Sequence, residues 1–211
     1  MPICMAKIQA IRKDDEGANN PVNISDRAVD NLRFIRETME RSAVFTSVPG
    51  YGGMLMGATA VGASVFAWQA ANYRNWLIIW LTEASLAFAI GFLTLWQKSK
   101  TANDSLTSAP ARKFALCFAP PMVAGIILSV LFYRLDLFEF LPVVWLTLYG
   151  TAVVCGGISS VKIVPIAGWS FIALGLIAVF LPRGCGDLMM ALGFGGLHII
   201  FGFIVARRFG G

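Results

Sequence analysis

The sequence of 211 residues has little charge. Asp, Glu, Lys and Arg together make up 14% of it, against about 25% in an average soluble domain. Hydrophobic residues make up 57%, which is above the usual share of about 45 to 50%. So few charges exclude an ordinary soluble domain. The composition indicates an integral membrane protein.

The sequence also lacks the clusters of residues that metal and disulfide sites need. It has one histidine, His198, so a pair of histidine ligands within one chain is impossible. The four cysteines are scattered, and none has a partner at C-x-x-C spacing. We therefore predict no disulfide framework, no metal site and no cofactor.

Common catalytic motifs are missing as well. The sequence has no H-E-x-x-H, no P-loop and no dinucleotide fingerprint. Gly157-Ile158-Ser159-Ser160 partly resembles the G-x-S-G motif of rhomboid-type intramembrane serine proteases. However, the predicted topology places Ser159 near the cytoplasmic end of its helix and His198 in mid-membrane, too far apart for a hydrogen-bonded dyad. We predict that the protein is not an enzyme.

Hydrophobic segments separated by short charged loops fill the chain from Pro49 onward. Each is close to the length of about 20 residues that a membrane-spanning helix requires. We therefore predict an all-α integral membrane protein whose domain, residues 46–211, contains six transmembrane helices. The predicted spans are 48–70, 76–96, 114–133, 141–160, 163–181 and 188–206.

Two different segments precede the spans. Residues 1–24 lack the features of a signal peptide and are predicted to form a mobile cytoplasmic tail. Residues 25–45 carry apolar side chains at helical spacing and i, i+4 ion pairs elsewhere, which predicts an amphipathic interfacial helix. Up to Arg41 the basic and acidic residues are balanced at seven each, so we expect no nucleic-acid partner.

Orientation follows from the distribution of basic residues. Fourteen of the seventeen Lys and Arg residues fall on one side of the predicted spans, and such residues accumulate on the cytoplasmic side. Both termini are therefore predicted to be cytoplasmic, in a multi-pass protein of a bacterial-type inner (plasma) membrane. The expected partners are the lipid bilayer and either a second copy of the chain or another membrane protein.

Small residues at helical spacing predict close helix packing. They form stripes on the first, fourth and sixth spans, and the predicted packing positions are Gly53, Gly57, Ala60, Gly156, Gly195 and Gly202. The third span contains Pro120 and Pro121, too far from its charged ends to lie in a loop, so a kink is predicted there.

Glu83 and His198 are ionisable residues inside predicted spans, where such groups are costly and therefore suggest function. Counted from the outer ends of their helices they lie at comparable depths, so we predict a candidate polar pair. One hypothesis is a small transporter or ligand-binding membrane protein with this pair as its polar centre. The alternative is a non-catalytic accessory, sensor or structural subunit of a membrane complex.

Overall fold

A computed structural model describes residues 24–42, 48–101 and 107–209. Contacts divide the chain into two units, Met1–Met39 and Glu40–Gly211, and each is considered by itself. Helix α1 runs from Ile24 to Ser42, mostly within the first unit, and overlaps the predicted helix 25–45. The tail predicted for residues 1–24 lies, except for Ile24, outside the described residues, as do residues 43–45 of the predicted interfacial helix.

The described residues of the second unit form six further helices, and each of them overlaps one of the predicted spans. They are α2 (Gly50–Trp68), α3 (Tyr73–Thr101), α4 (Ala109–Arg134), α5 (Leu141–Gly157), α6 (Ile163–Val179) and α7, which consists of the α-helical turn Gly186–Met190, the π-helical segment Ala191–Leu197 and the α-helix His198–Phe209. Short 3-10 helices, Phe138–Phe140 and Arg183–Cys185, precede α5 and α7.

Four of these helices are long and apolar enough to cross a membrane, judged by length and composition over the described residues. They are Tyr73–Thr101, Ala109–Arg134, Phe138–Gly157 and Gly186–Phe209. Helix α6 is apolar, but with 17 residues it is shorter than these four. Helix α2 has 19 residues, of which five are glycine, one is serine and one is threonine. The structure thus supports a membrane-associated helical protein, with four helices of spanning length.

Pro120 and Pro121 lie inside α4, and the helix continues through both of them. Both prolines thus lie in a helix and not in a loop. The kink itself stays a prediction.

Helix α2 contacts both α3 and α7. Its glycine-rich face meets α7 at backbone distance: a methyl group added at Gly57 would lie 2.6 Å from the carbonyl oxygen of Gly195, and one added at Gly202 would lie 2.7 Å from the nitrogen of Met54. Gly53 faces Gly202 in the same contact. Only residues without a side chain allow two helix backbones to approach this closely.

Helices α5 and α6 form a second close pair, which the sequence argument did not identify. Gly150 and Gly168 face each other, and a methyl group on either would lie 2.7 Å from the carbonyl oxygen of the other. The missed signal is a matching interval, since Gly150 and Gly157 on α5 and Gly168 and Gly175 on α6 are both seven residues apart. The predicted packing residue Gly156 faces another helix, because a methyl group there would meet the ring of Phe114 on α4.

A buried cluster lies where α2, α3, α5, α6 and α7 approach one another. Its most buried members are Ala67, Trp80, Leu146, Phe171, Met189 and Met190. Helix α4 packs mainly on α5, and α3 packs mainly on α2. Helix α7 thus contacts both α2 and the α5–α6 pair.

Replacing Gly57 with alanine is expected to destabilise the protein by about 1–3 kcal/mol, the usual cost of overpacking a tight contact. Its new methyl group would collide with backbone atoms of α7, which cannot rotate away. Thermal unfolding in detergent measures the effect.

Gly62→Ala on the same helix is the matched control, because a methyl group there meets no atom of the described residues within 4 Å. It should leave the unfolding midpoint unchanged or raise it, since alanine favours a helix over glycine by up to about 1 kcal/mol. Equal midpoints for the two variants would contradict the close α2–α7 contact.

Candidate functional site

His198 is positioned by an irregularity in α7. Residues Ala191–Leu197 form a π-helical segment that contains Gly193, Gly195 and Gly196, and His198 begins the regular α-helix that follows. A π-helical turn holds more residues than an α-helical turn, so it changes the direction in which the next side chains point. The backbone of His198 stays close to Gly53 on α2, but its ring contacts α5 and α6.

Both nitrogens of the His198 ring have hydrogen-bond partners. Nδ1 lies 3.0 Å from the carbonyl oxygen of Phe194, and Nε2 lies 2.7 Å from the hydroxyl oxygen of Tyr149. A carbonyl oxygen only accepts, so Nδ1 must carry the hydrogen. In the neutral ring Nε2 is then the acceptor, and the Tyr149 hydroxyl donates to it. This bond connects α5 to α7.

Aromatic rings surround this histidine. The ring centroid of Phe171 lies 5.3 Å away in an edge-on arrangement, that of Tyr149 lies 5.4 Å away, and that of Phe194 lies 6.1 Å away in a stacked arrangement. Phe118 on α4 meets the edge of Tyr149 at 6.0 Å. We call these five residues the aromatic cluster. The cluster joins α4, α5, α6 and α7, and His198 contacts its members on α5 and α6.

Glu83 lies in a different helix contact. It is buried, with 7% of its surface exposed, on the face of α3 that packs against α2. Its Oε1 atom lies 2.9 Å from the hydroxyl oxygen of Thr59 on α2. About two turns further along α3, Gly91 faces the side chain of Met56 on α2.

The structure does not join Glu83 to His198. Among the described residues, Glu83 is bonded to Thr59 on α2, whereas His198 is bonded to Tyr149 on α5 and to Phe194 on its own helix. The sequence argument compared depths along the helix axes, and depth does not specify which neighbour a helix faces. The π-helical segment adds a second reason. On a regular α-helix His198 would share one face with Gly195 and Gly202, but its ring does not point along that face.

Asp187 anchors one end of α7, and the sequence argument treated it only as a helix boundary. Its Oδ1 atom accepts hydrogen bonds from the indole nitrogens of Trp76 at 2.6 Å and Trp80 at 3.3 Å, both on α3. The spacing of the two tryptophans, i and i+4, was the available signal. A shallow groove of about 220 Å³ adjoins this carboxylate and is lined partly by Trp68 and Gln69.

Lys98 connects three chain segments at the opposite end of α3. Its amine donates hydrogen bonds to the carbonyl oxygens of Val48, before α2, at 3.0 Å and of Phe209, at the end of α7, at 3.2 Å. A cation is favourable at the carboxyl end of a helix, where backbone carbonyl groups lack partners. The sequence argument used Lys98 only to assign orientation.

Ser159, from the segment that resembles the rhomboid motif, lies just beyond the end of α5. Its hydroxyl donates to the carbonyl oxygen of Gly156 at 2.9 Å. Among the residues that the structure describes, no group of three or more His, Cys, Asp or Glu side chains is arranged to hold a metal ion. The polar contacts found here are hydrogen bonds between helices and within them.

No protein-family model, curated protein or solved structure matches this chain. A functional assignment therefore depends on the contacts described above.

Replacing Tyr149 with phenylalanine should lower stability by about 1–3 kcal/mol, because it leaves the partly buried Nε2 of His198 without a donor. Tyr51→Phe is the matched control, since Tyr51 is exposed. Thermal unfolding in detergent compares the two variants.

The sole histidine also gives a direct spectroscopic measurement. NMR of protein carrying isotope-labelled histidine, purified without a histidine tag, should show one ring with hydrogen on Nδ1 and an accepting Nε2. In Tyr149→Phe the Nε2 resonance should move, because its donor is gone. A hydrogen on Nε2 in the wild type would contradict the bonding described here.

Proposed function

We propose that this chain is a non-catalytic accessory, sensor or structural subunit of a membrane complex, with six helices crossing a bacterial-type inner membrane. Two features support six crossings rather than four. Helices α2 and α6, with 19 and 17 residues, are about 28 and 26 Å long at 1.5 Å per residue, close to the hydrocarbon thickness of about 30 Å. The charge distribution supports cytoplasmic termini, since fourteen of seventeen basic residues then lie inside.

The separation of Glu83 from His198 is the observation that carries the proposal. A transport centre built from both requires them to meet directly or through water, and among the described residues no hydrogen bond joins the two. Each is instead bonded to a neighbouring helix, Glu83 to Thr59 and His198 to Tyr149. Hydrogen bonds of this kind stabilise helix association within a membrane. Holding helices together is the role that these contacts support best.

The outer faces of α3 and α4 offer apolar surface for a partner. Phe88 on α3 is 76% exposed and stacks on Phe92, and Ile127 on α4 is 62% exposed. Each of these helices has one main neighbour within the chain, α2 for α3 and α5 for α4. Such faces suit lipid, a second copy of the chain or another membrane protein.

Site-specific photo-crosslinking in the native membrane tests the proposal. With the photoreactive residue at Phe88 or Ile127, we expect a protein adduct of discrete mass, identified by mass spectrometry as a second copy or a different membrane protein. Phe180, 81% exposed at the end of α6, is the control for exposure alone. Lipid adducts without any protein adduct at all three positions would contradict the proposal.

A small transporter or ligand-binding membrane protein is the second candidate, with Glu83 rather than the pair at its centre. The supporting observation is that Glu83 is the buried acidic side chain among the described residues, and α2 beside it contains no Lys, Arg or His. Acidic groups within membrane helices mark proton relays in pumps and transporters.

Flux assays in liposomes decide between the two candidates. The wild type, Glu83→Gln and His198→Ala are compared with empty liposomes under an imposed pH gradient. As an accessory subunit, the protein should give no flux above empty liposomes in any of the three, with folding verified for each. Flux in the wild type that disappears with Glu83→Gln would establish transport and exclude a purely accessory role.

A further inference from the structure

The hydroxyl group of Thr59 lies near more acceptors than its single hydrogen can serve. Its oxygen lies 2.9 Å from the carbonyl oxygen of Met56 and 2.9 Å from Oε1 of Glu83. The carbonyl oxygen of Leu55 is also near, at 3.3 Å. A threonine inside a helix normally donates to a carbonyl three or four residues earlier. If Thr59 does so, it has no hydrogen left for Glu83.

In that case the hydrogen in the contact between Thr59 and Glu83 must come from Glu83. A carboxylate only accepts, whereas a neutral carboxylic acid also donates one hydrogen. With Glu83 neutral, its acid group donates to Thr59, and Thr59 donates to Met56. With Glu83 ionised, the Thr59 hydroxyl must turn away from the carbonyl and donate to the carboxylate. The two arrangements differ by one proton.

No positive charge among the described residues lies beside Glu83. Helix α2, the main neighbour of α3, carries no Lys, Arg or His. The one tyrosine of α2, Tyr51, is exposed near the start of that helix. On α7, Asp187 is bonded to the indole of Trp80, one turn before Glu83, and the His198 ring is bonded to Tyr149 on α5.

The basic residues of α3 and α7 are placed elsewhere. Lys98, about four turns after Glu83, is bonded to the carbonyl oxygens of Val48 and Phe209. Arg74 lies at the start of α3, and the Nζ atom of Lys100, near its end, lies 3.8 Å from the centroid of the Trp96 ring. Arg207 and Arg208 are exposed near the end of α7. An ionised carboxylate in hydrocarbon without a counter-charge is costly, whereas the neutral acid has its hydrogen-bond partner here.

We propose that Glu83, Thr59 and the Met56 carbonyl group form a proton-binding site, in which neutral Glu83 donates to Thr59 and Thr59 donates to the carbonyl oxygen. Loss of the proton to water leaves a carboxylate, and the Thr59 hydroxyl rotates to donate to it. The site deepens the proposed accessory or sensor role, since it gives the α2–α3 contact two states that differ by one proton. It depends on the placement of α3 within the membrane and not on the presence of a partner.

Infrared spectroscopy of the purified protein tests the site directly. The sample is kept in a maltoside detergent, which has no carbonyl group to obscure the spectrum. At neutral pH the wild type should show the carbonyl stretch of one neutral carboxylic acid, shifted to lower frequency in heavy water. The band should be absent in Glu83→Gln, whose amide can replace the neutral acid as donor to Thr59.

Thr59→Val tests the acceptor, because valine matches threonine in shape and lacks the hydroxyl group. The acid band should remain and move to higher frequency when its hydrogen bond is lost, and Thr59→Ser should restore the original position. If Thr59→Val does not fold, the comparison of wild type with Glu83→Gln still decides the protonation state.

A wild-type spectrum without an acid band, or a band that persists in Glu83→Gln, would overturn the proposal. A band that Thr59→Val does not move would overturn the role of Thr59. These results are independent of crosslinking. An acid band without a protein adduct would retain the proton site and reject the accessory role. A protein adduct without an acid band would reject only the proton site.

Discussion

The contact between α2 and α7 joins the two parts of the helical unit. Helix α3 packs mainly on α2, while α5 and α6 meet α7, and α4 packs mainly on α5. Gly57 and Gly202 bring the backbones of α2 and α7 together where any side chain would collide with a backbone atom. In lipid, where apolar side chains gain little by meeting one another, close backbone packing of this kind is a principal source of helix association.

Hydrogen bonds between side chains add specificity to this packing. Thr59 with Glu83 connects α2 to α3, Trp76 with Asp187 connects α3 to α7, and Tyr149 with His198 connects α5 to α7. Between α4 and α5 the indole of Trp145 donates to the hydroxyl of Ser129 at 3.0 Å. Each of these four neighbouring pairs of helices thus has a polar contact that fixes how one helix is rotated against the other. The transport hypothesis assigned Glu83 and His198 to one centre, whereas the contacts assign them to two.

The positions of the helices could be predicted from the sequence, because apolar segments bounded by charges determine where each begins and ends. The glycine intervals on the first and sixth spans also predicted faces that pack. The identity of the neighbours could not be predicted: Gly156 faces Phe114, and the Gly150–Gly168 contact was missed, since a stripe of small residues does not specify its partner. The direction of the His198 ring depends on the π-helical segment, which no local pattern indicated. Asp187 and Lys98 were counted as charges, so their bonds to α3 and to backbone carbonyl groups were overlooked.

The order of the helices along the chain has a consequence for assembly. Helix α2 is the first of the six in the second unit, and α7 follows all the others. During synthesis, the glycine face of α2 therefore lacks its partner, α7, while α3 to α6 are being made. The α5–α6 pair is separated by a short loop and can form early, because contacts between neighbouring segments need little loop closure. The glycine face of α2 is consequently the surface most open to mispairing before the bundle closes.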